Sequence, residues 1–209
     1  MLHPCLPSAI DLGDVMRKFR TWPLLLTSLV VLPGPAHAQV RASELATVSQ
    51  TIDGTVITVE YSRPRVRGRS PVFGKLVTWG EVWTPGANWA TTLDVSKDVT
   101  IDGHPIPKGK YSVWMEVQPK EWTVIFSPKA KLFHTAHPKP DSGQIRFAVT
   151  PDSGEGPEVL TWSFPDMSMT GATLQMAWAG RSVDLRVAVQ PSHPLTLAEA
   201  EAERFVGNY

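Results

Sequence analysis

The chain has 209 residues, 42% of them apolar and 19% charged, with 20 basic against 20 acidic side chains. That is enough for one domain with a sizeable core and too apolar for a disordered chain, and a net charge of zero excludes a strongly basic nucleic-acid binder. With 19 Pro, 15 Gly and 8 Trp, the composition suits many short strands and turns better than long helices.

The first predicted element is an export leader. Arg17-Lys18-Phe19-Arg20 precedes the uncharged run from Leu24 to Leu32, then Pro33-Gly34-Pro35, then Ala36-His37-Ala38. A charged start, an apolar middle and a small-x-small end make a signal peptide over residues 16–38, cleaved between Ala38 and Gln39. The apolar run is too short to span a bilayer of about 30 Å. Residues 1–15 read as an extension ahead of Met16. Cys5, the only cysteine, leaves with the leader. The exported domain therefore has no disulfide, no cysteine nucleophile and no thiolate metal ligand. The mature chain carries no predicted transmembrane segment, which places the protein in the periplasm or outside the cell.

Next comes a hairpin. Asp53-Gly54 separates two alternating segments, and its residues suit a two-residue turn with positive φ. Pairing across it sets Ala46 against Tyr61, Val48 against Val59, Gln50 against Ile57 and Ile52 against Thr55. Strands are expected near 91–96 and 98–102. A third pairing folds around Gln118–Glu121, with Val113, Met115, Val117, Trp122, Val124 and Phe126 on its core face. Trp114 and Ile125 fall on the reverse face and call for a cover. Strands follow near 144–150 and 158–164. A last hairpin turns on Gly180-Arg181, opposing Trp178 to Val183, Met176 to Leu185, Leu174 to Val187 and Ala172 to Val189. Thr196 with Glu199 forms a capping box, so a short helix ends the chain before Gly207. The expected fold is all-β: an antiparallel β-sandwich, or a flattened barrel, over 39–192, with a C-terminal helical tail over 193–209.

Several ordered motifs resemble a known family. They are Tyr61-Ser62-Arg63-Pro64, Gly68-Arg69, Val72-Phe73-Gly74, Val82-Trp83 leading into Gly86-Ala87-Asn88, Pro107-Lys108-Gly109-Lys110-Tyr111-Ser112, and Glu121 to Phe126. Over roughly residues 42–190 the chain resembles the DUF2911 family of exported bacterial proteins, which has no established activity. The resemblance implies a fold and a compartment but no mechanism. An Arg commonly follows the Val-Trp pair in that pattern, and an acidic residue follows Gly-Ala-Asn. Here those positions hold Thr84 and Trp89. The aromatic-rich loop before the 144–150 strand is here Phe133-His134-Thr135-Ala136-His137-Pro138, which also differs.

Candidate chemistry concentrates between residues 63 and 92. Arg63, Arg65, Arg67 and Arg69 alternate, and in extended chain residues two apart point the same way, toward one anion. The competing reading is a solvated loop with Arg pairing to carboxylates such as Glu60 or Glu81. Asn88 suits a tight turn, and Trp83 and Trp89 flank it as possible stacking platforms for a sugar or another flat apolar face. His134 and His137, with Asp141 beyond, have metal-ligand types, but they sit in a Pro- and Lys-rich loop without the Glu of a helical metalloprotease motif. They read as loop histidines, with no metal site and no cofactor. There is no G-x-S-x-G elbow, phosphate-cradling loop or dinucleotide fingerprint.

The leading functional expectation is therefore a binding module using Arg63, Arg69, Trp83, Asn88 and Trp89. Its partner would be a glycan, a small anionic ligand or an envelope protein. The alternative is an envelope hydrolase whose carboxylate or metal site is assembled by the fold, and a third reading is a structural or assembly protein.

Overall fold

The computed structural model describes residues 42–141 and 143–193. The predicted leader and the predicted C-terminal helix lie outside the described residues. Thirteen strands run in chain order: β1 (Glu44–Ile52), β2 (Thr55–Arg63), β3 (Val82–Trp83), β4 (Thr92–Val95), β5 (Val99–Ile101), β6 (His104–Ile106), β7 (Gly109–Glu116), β8 (Trp122–Ser127), β9 (Ile145–Val149), β10 (Asp152–Ser153), β11 (Thr161–Met167), β12 (Gly171–Trp178) and β13 (Arg181–Val189). Among the described residues none is helical, so no helix there is long and apolar enough to cross a membrane.

The strands form two antiparallel sheets. The first is ordered β1-β2-β4-β7-β8-β9, with β3 also on β7; the second is ordered β11-β12-β13-β5-β6, with β10 also on β13. They pack as a sandwich. The flattened-barrel alternative is not realised, because each sheet ends in two strands rather than closing on itself.

Period-two alternation explains the core. In β2, Ile57, Val59 and Tyr61 point inward and are buried, while Val56 and Glu60 are exposed and Thr58 is half-buried. In β13, Val183, Leu185, Val187 and Val189 do the same on the opposing sheet. Each such side chain contributes roughly 1.5–3 kcal/mol when fully removed from water. Between the sheets lies an aromatic group. Phe73 makes an edge contact with Trp83 at 5.7 Å and a tilted one with Trp122 at 4.9 Å, and Trp178 stacks on Trp83 at 5.8 Å.

The first hairpin has the expected register, from Ala46 with Tyr61 to Ile52 with Thr55. Its turn residues Asp53 and Gly54 have φ of 42° and 71°, as a two-residue turn between right-twisted strands requires. The last hairpin corrects the sequence reading. Its turn is Ala179-Gly180, with φ of 51° and 78°, so Trp178 faces Arg181 and Met176 faces Val183. The register is displaced by two residues from the expected one. A two-residue displacement preserves facing, so every core residue of that hairpin still points inward.

The stretch expected as a strand from 158 begins its pairing with β12 only at Thr161. Before that it joins the two sheets. Leu160 N–H donates to the Pro64 carbonyl and Val66 N–H to that of Glu158. Tyr61 strengthens the same corner: its buried hydroxyl accepts from Trp162 N–H at 3.0 Å and lies 3.4 Å from the Trp162 carbonyl.

At the far end of the β1–β2 hairpin, Ser192 donates from both N–H and hydroxyl to the Asp53 carboxylate. These two bonds hold the Asp53 pKa below the ordinary carboxylate value.

Candidate functional site

Trp114 and Ile125 pair across β7 and β8. They point away from the sandwich core, yet both are fully buried. Their cover is the segment 128–141, which lies over the outer face of the first sheet. Ala90, Trp114 and Ile125 form a second small core there, with Val82 and Leu132 packed on it. Backbone bonds fix the cover: Ala90 N–H donates to the Leu132 carbonyl and His134 N–H to that of Asn88, both at 2.8 Å. Ser112, buried, donates from its hydroxyl to the Lys129 carbonyl and accepts from the Trp114 indole N–H. His137 lays its ring 5.9 Å from Trp114, and its Nδ1 hydrogen-bonds the Val82 carbonyl. His134 packs on Phe133 at 4.6 Å. The His137 side chain thus ties the strap to β3 and β7. Among the described residues no three His, Cys, Asp or Glu side chains stand close enough to share an ion.

Beside the strap the sheet's outer face is open. A cleft of about 360 Å³ has Glu60, Thr92 and Lys110 as its bed and Leu45, Trp89 and Lys131 on its walls. Strand register builds the bed, since Glu60 pairs with Thr92 and Lys110 with Asp94 on neighbouring strands. Trp89 stands up from the wall, 46% exposed. Phe133 supports it edge-on at 5.5 Å, and the Lys131 ammonium lies 5.6 Å from its ring centroid, within range of a cation–π attraction. An aromatic ring beside a few convergent polar groups in a concave setting is a common feature of small-ligand sites.

The five residues singled out by sequence occupy four different settings. Trp89 lines this cleft. Asn88 is the turn that places it, with φ of 64° and its amide donating to the Ser62 hydroxyl at 3.2 Å. Trp83 packs into the aromatic group between the sheets. Arg63 ties one sheet to the other, with Nε donating to the Leu160 carbonyl at 3.1 Å and Nη2 to the Thr161 hydroxyl at 2.9 Å. Among these bonds no carboxylate takes part, unlike in the competing reading of arginines paired to Glu60 or Glu81. Arg69 lines a separate cavity of about 370 Å³ together with Glu158 and Arg181. Its Nε donates to the Val66 carbonyl at 2.9 Å, and a second guanidinium nitrogen donates to that of Arg65.

The alternating row of four arginines does not extend along one line. Arg67 and Gly68 both have positive φ, 52° and 68°, which turns the chain and folds Arg69 back on its own loop. The sequence did not single out Lys110, Lys131 or Leu45 as site residues, and it offered Glu60 only as a carboxylate partner for arginine. Alternation marks Glu60 and Lys110 as outward-facing, but it does not say that a strap from later in the chain rises beside them.

A family model for proteins of unknown function, DUF2911, matches residues 43–187. The chain belongs to the DUF2911 family. No curated protein and no solved structure matches it. The DUF2911 domain therefore accounts for both sheets, the strap and the cleft. Thr84 and Trp89 stand at two of the positions expected to differ from the family pattern. Thr84 is buried and neutral: its hydroxyl donates to the Val113 carbonyl at 2.9 Å and accepts from Thr91 N–H at 3.0 Å. Trp89 is the exposed ring of the cleft.

Proposed function

We propose that this protein is an exported binding module whose ligand is an acidic glycan seated in the outer-face cleft. One observation carries the reading: Trp89, nearly half exposed, stands braced against Phe133 at the wall of a cavity that also presents two lysines. An indole offers a flat apolar face to the C–H side of a sugar ring. Lys110 and Lys131 outnumber the single carboxylate of the lining, Glu60, which favours a ligand with negative charge. No pair of carboxylates lines the cleft, so two-carboxylate hydrolysis draws no support from it.

The test is calorimetric titration with acidic and neutral oligosaccharides of matched length. Binding of the acidic series is expected, and Trp89→Ala should weaken it at least about tenfold, on the order of 1.4 kcal/mol, while the melting temperature stays near that of the parent. Equal binding by Trp89→Ala, or no binding of any acidic oligosaccharide, sinks the proposal.

The export reading rests on the order of charged, apolar and small residues before Gln39. Mass spectrometry of the secreted protein is expected to find Gln39 at its N-terminus. A chain that retains residues 16–38 would refute cleavage at that point.

A further inference from the structure

We infer that the β1 edge of the first sheet is a self-association surface, on which a second copy of this chain adds its own β1 as an antiparallel strand. The four terminal strands of the two sheets are not alike. β6 is three residues long and contains Pro105. β9 is five residues long and carries Arg146. β11 contains Pro165 and breaks register between Ser163 and Asp166. Short length, proline, charge and bulges are the ordinary means of stopping a sheet edge from pairing with another chain. β1 has none of them beyond its first residue, Glu44. It pairs with β2 over nine residues without a register shift, and from Leu45 to Ile52 it holds no proline and no ionisable side chain.

Among the described residues no other strand pairs with that edge. The turn is confined to Asp53-Gly54, so Ile52 and Thr55 close the ladder, and the groups of Ile52, Gln50, Val48 and Ala46 face β2. The N–H and C=O groups of Leu45, Thr47, Ser49 and Thr51 then point away from the sheet. The Gln50 amide reaches round to donate to the Thr51 carbonyl at 3.0 Å, a local substitute for a missing strand.

The side chains carry the same mark. On β2 the inward residues Ile57, Val59 and Tyr61 are buried, but their partners on β1, Ala46, Val48 and Gln50, are only half-buried. Leu45 is 69% exposed. A further strand alongside would complete the cover of this row.

Self-complementarity points to a second copy as the occupant. An antiparallel two-fold about Val48 sets Val48 against its own counterpart, Ala46 against Gln50 and Thr47 against Ser49, all uncharged, so no like charges oppose along the paired row. Glu44, the single ionisable residue of the strand, already lies opposite Arg63 of its own chain. Leu45 also lines the Trp89 cleft, so the partner strand would border the same cavity.

Sedimentation equilibrium of the whole protein, with Thr47→Lys and Thr47→Pro beside it, decides the matter. Thr47 is exposed and its N–H points outward, so neither change breaks the β1–β2 ladder. The parent is expected to sediment at twice the mass of one chain. Both variants should sediment at the mass of one chain, with circular dichroism like that of the parent. A parent that stays a single chain at every concentration, or a dimer that survives both substitutions, overturns the inference. So does a single-chain parent in which hydrogen exchange finds the Thr47 and Ser49 amides protected, because the segment beyond His193 would then be what covers the edge.

Discussion

Trp114→Ala is expected to cost about 3–5 kcal/mol of stability, the usual range for deleting a fully buried large aromatic. Trp114 has no exposed surface, although it points away from the main core. Its ring is the floor on which the strap 128–141 rests, touching His137, with Ala90, Ile125 and Leu132 in the same cluster. Removing it also takes away the indole N–H that the Ser112 hydroxyl accepts at 2.9 Å, leaving that hydroxyl only its bond to the Lys129 carbonyl. Two measurements separate this from a generic loss of core. Thermal melting should show the fall, and limited proteolysis should show new cleavage within the strap. Trp114→Phe, which keeps most of the apolar area, should lose less. If Trp114→Ala melts within a degree or two of the parent, the strap does not depend on that small core.

Trp162→Ala is expected to have an effect of similar size, about 3–5 kcal/mol. For a domain of this length that corresponds to a fall in Tm of roughly 6–20 °C. Trp162 is almost fully buried on β11, at the corner where the sheets join. Its indole N–H donates to the Pro85 carbonyl at 3.1 Å, which links the second sheet to the loop before β4. Its backbone N–H donates to the Tyr61 hydroxyl. Trp162→Phe preserves the ring packing and the backbone bond and loses only the indole N–H. Pro85 still accepts from the Thr91 hydroxyl at 2.9 Å, so that variant should lose only about 1 kcal/mol. A Trp162→Phe loss equal to that of Trp162→Ala would show that the hydrogen bond, rather than the buried ring, holds the corner.

Strand positions were legible because the signals are local. Alternation over β2, β7, β8 and β13 sorts residues onto two faces, and Asp53-Gly54 sets a register that the structure reproduces pair for pair. The turn at Ala179-Gly180 was not legible in the same way. Ala seldom takes positive φ, so Gly180 attracted the turn one place too far along the chain. The need for a cover over Trp114 and Ile125 followed from their facing, but its identity did not. Leu132 and His137 reach them through a loop with no periodicity to read.

The candidate site divides along the same line. Asn88 and Trp89 stood out as a turn and a large ring, whereas nothing near them in sequence announced Leu45, Glu60 or Lys110. The amino-acid sequence by itself determined the sheet class, the inward rows and the first hairpin, since each depends on residues within a turn or two of one another. It also placed the chain among DUF2911 proteins. Only the tertiary structure decided that Arg63 serves the sheet corner, that Trp83 belongs to the interior, and that Trp89 shares a cleft with Lys110. Those outcomes depend on which strands become neighbours, and side-chain periodicity carries facing but not neighbour order.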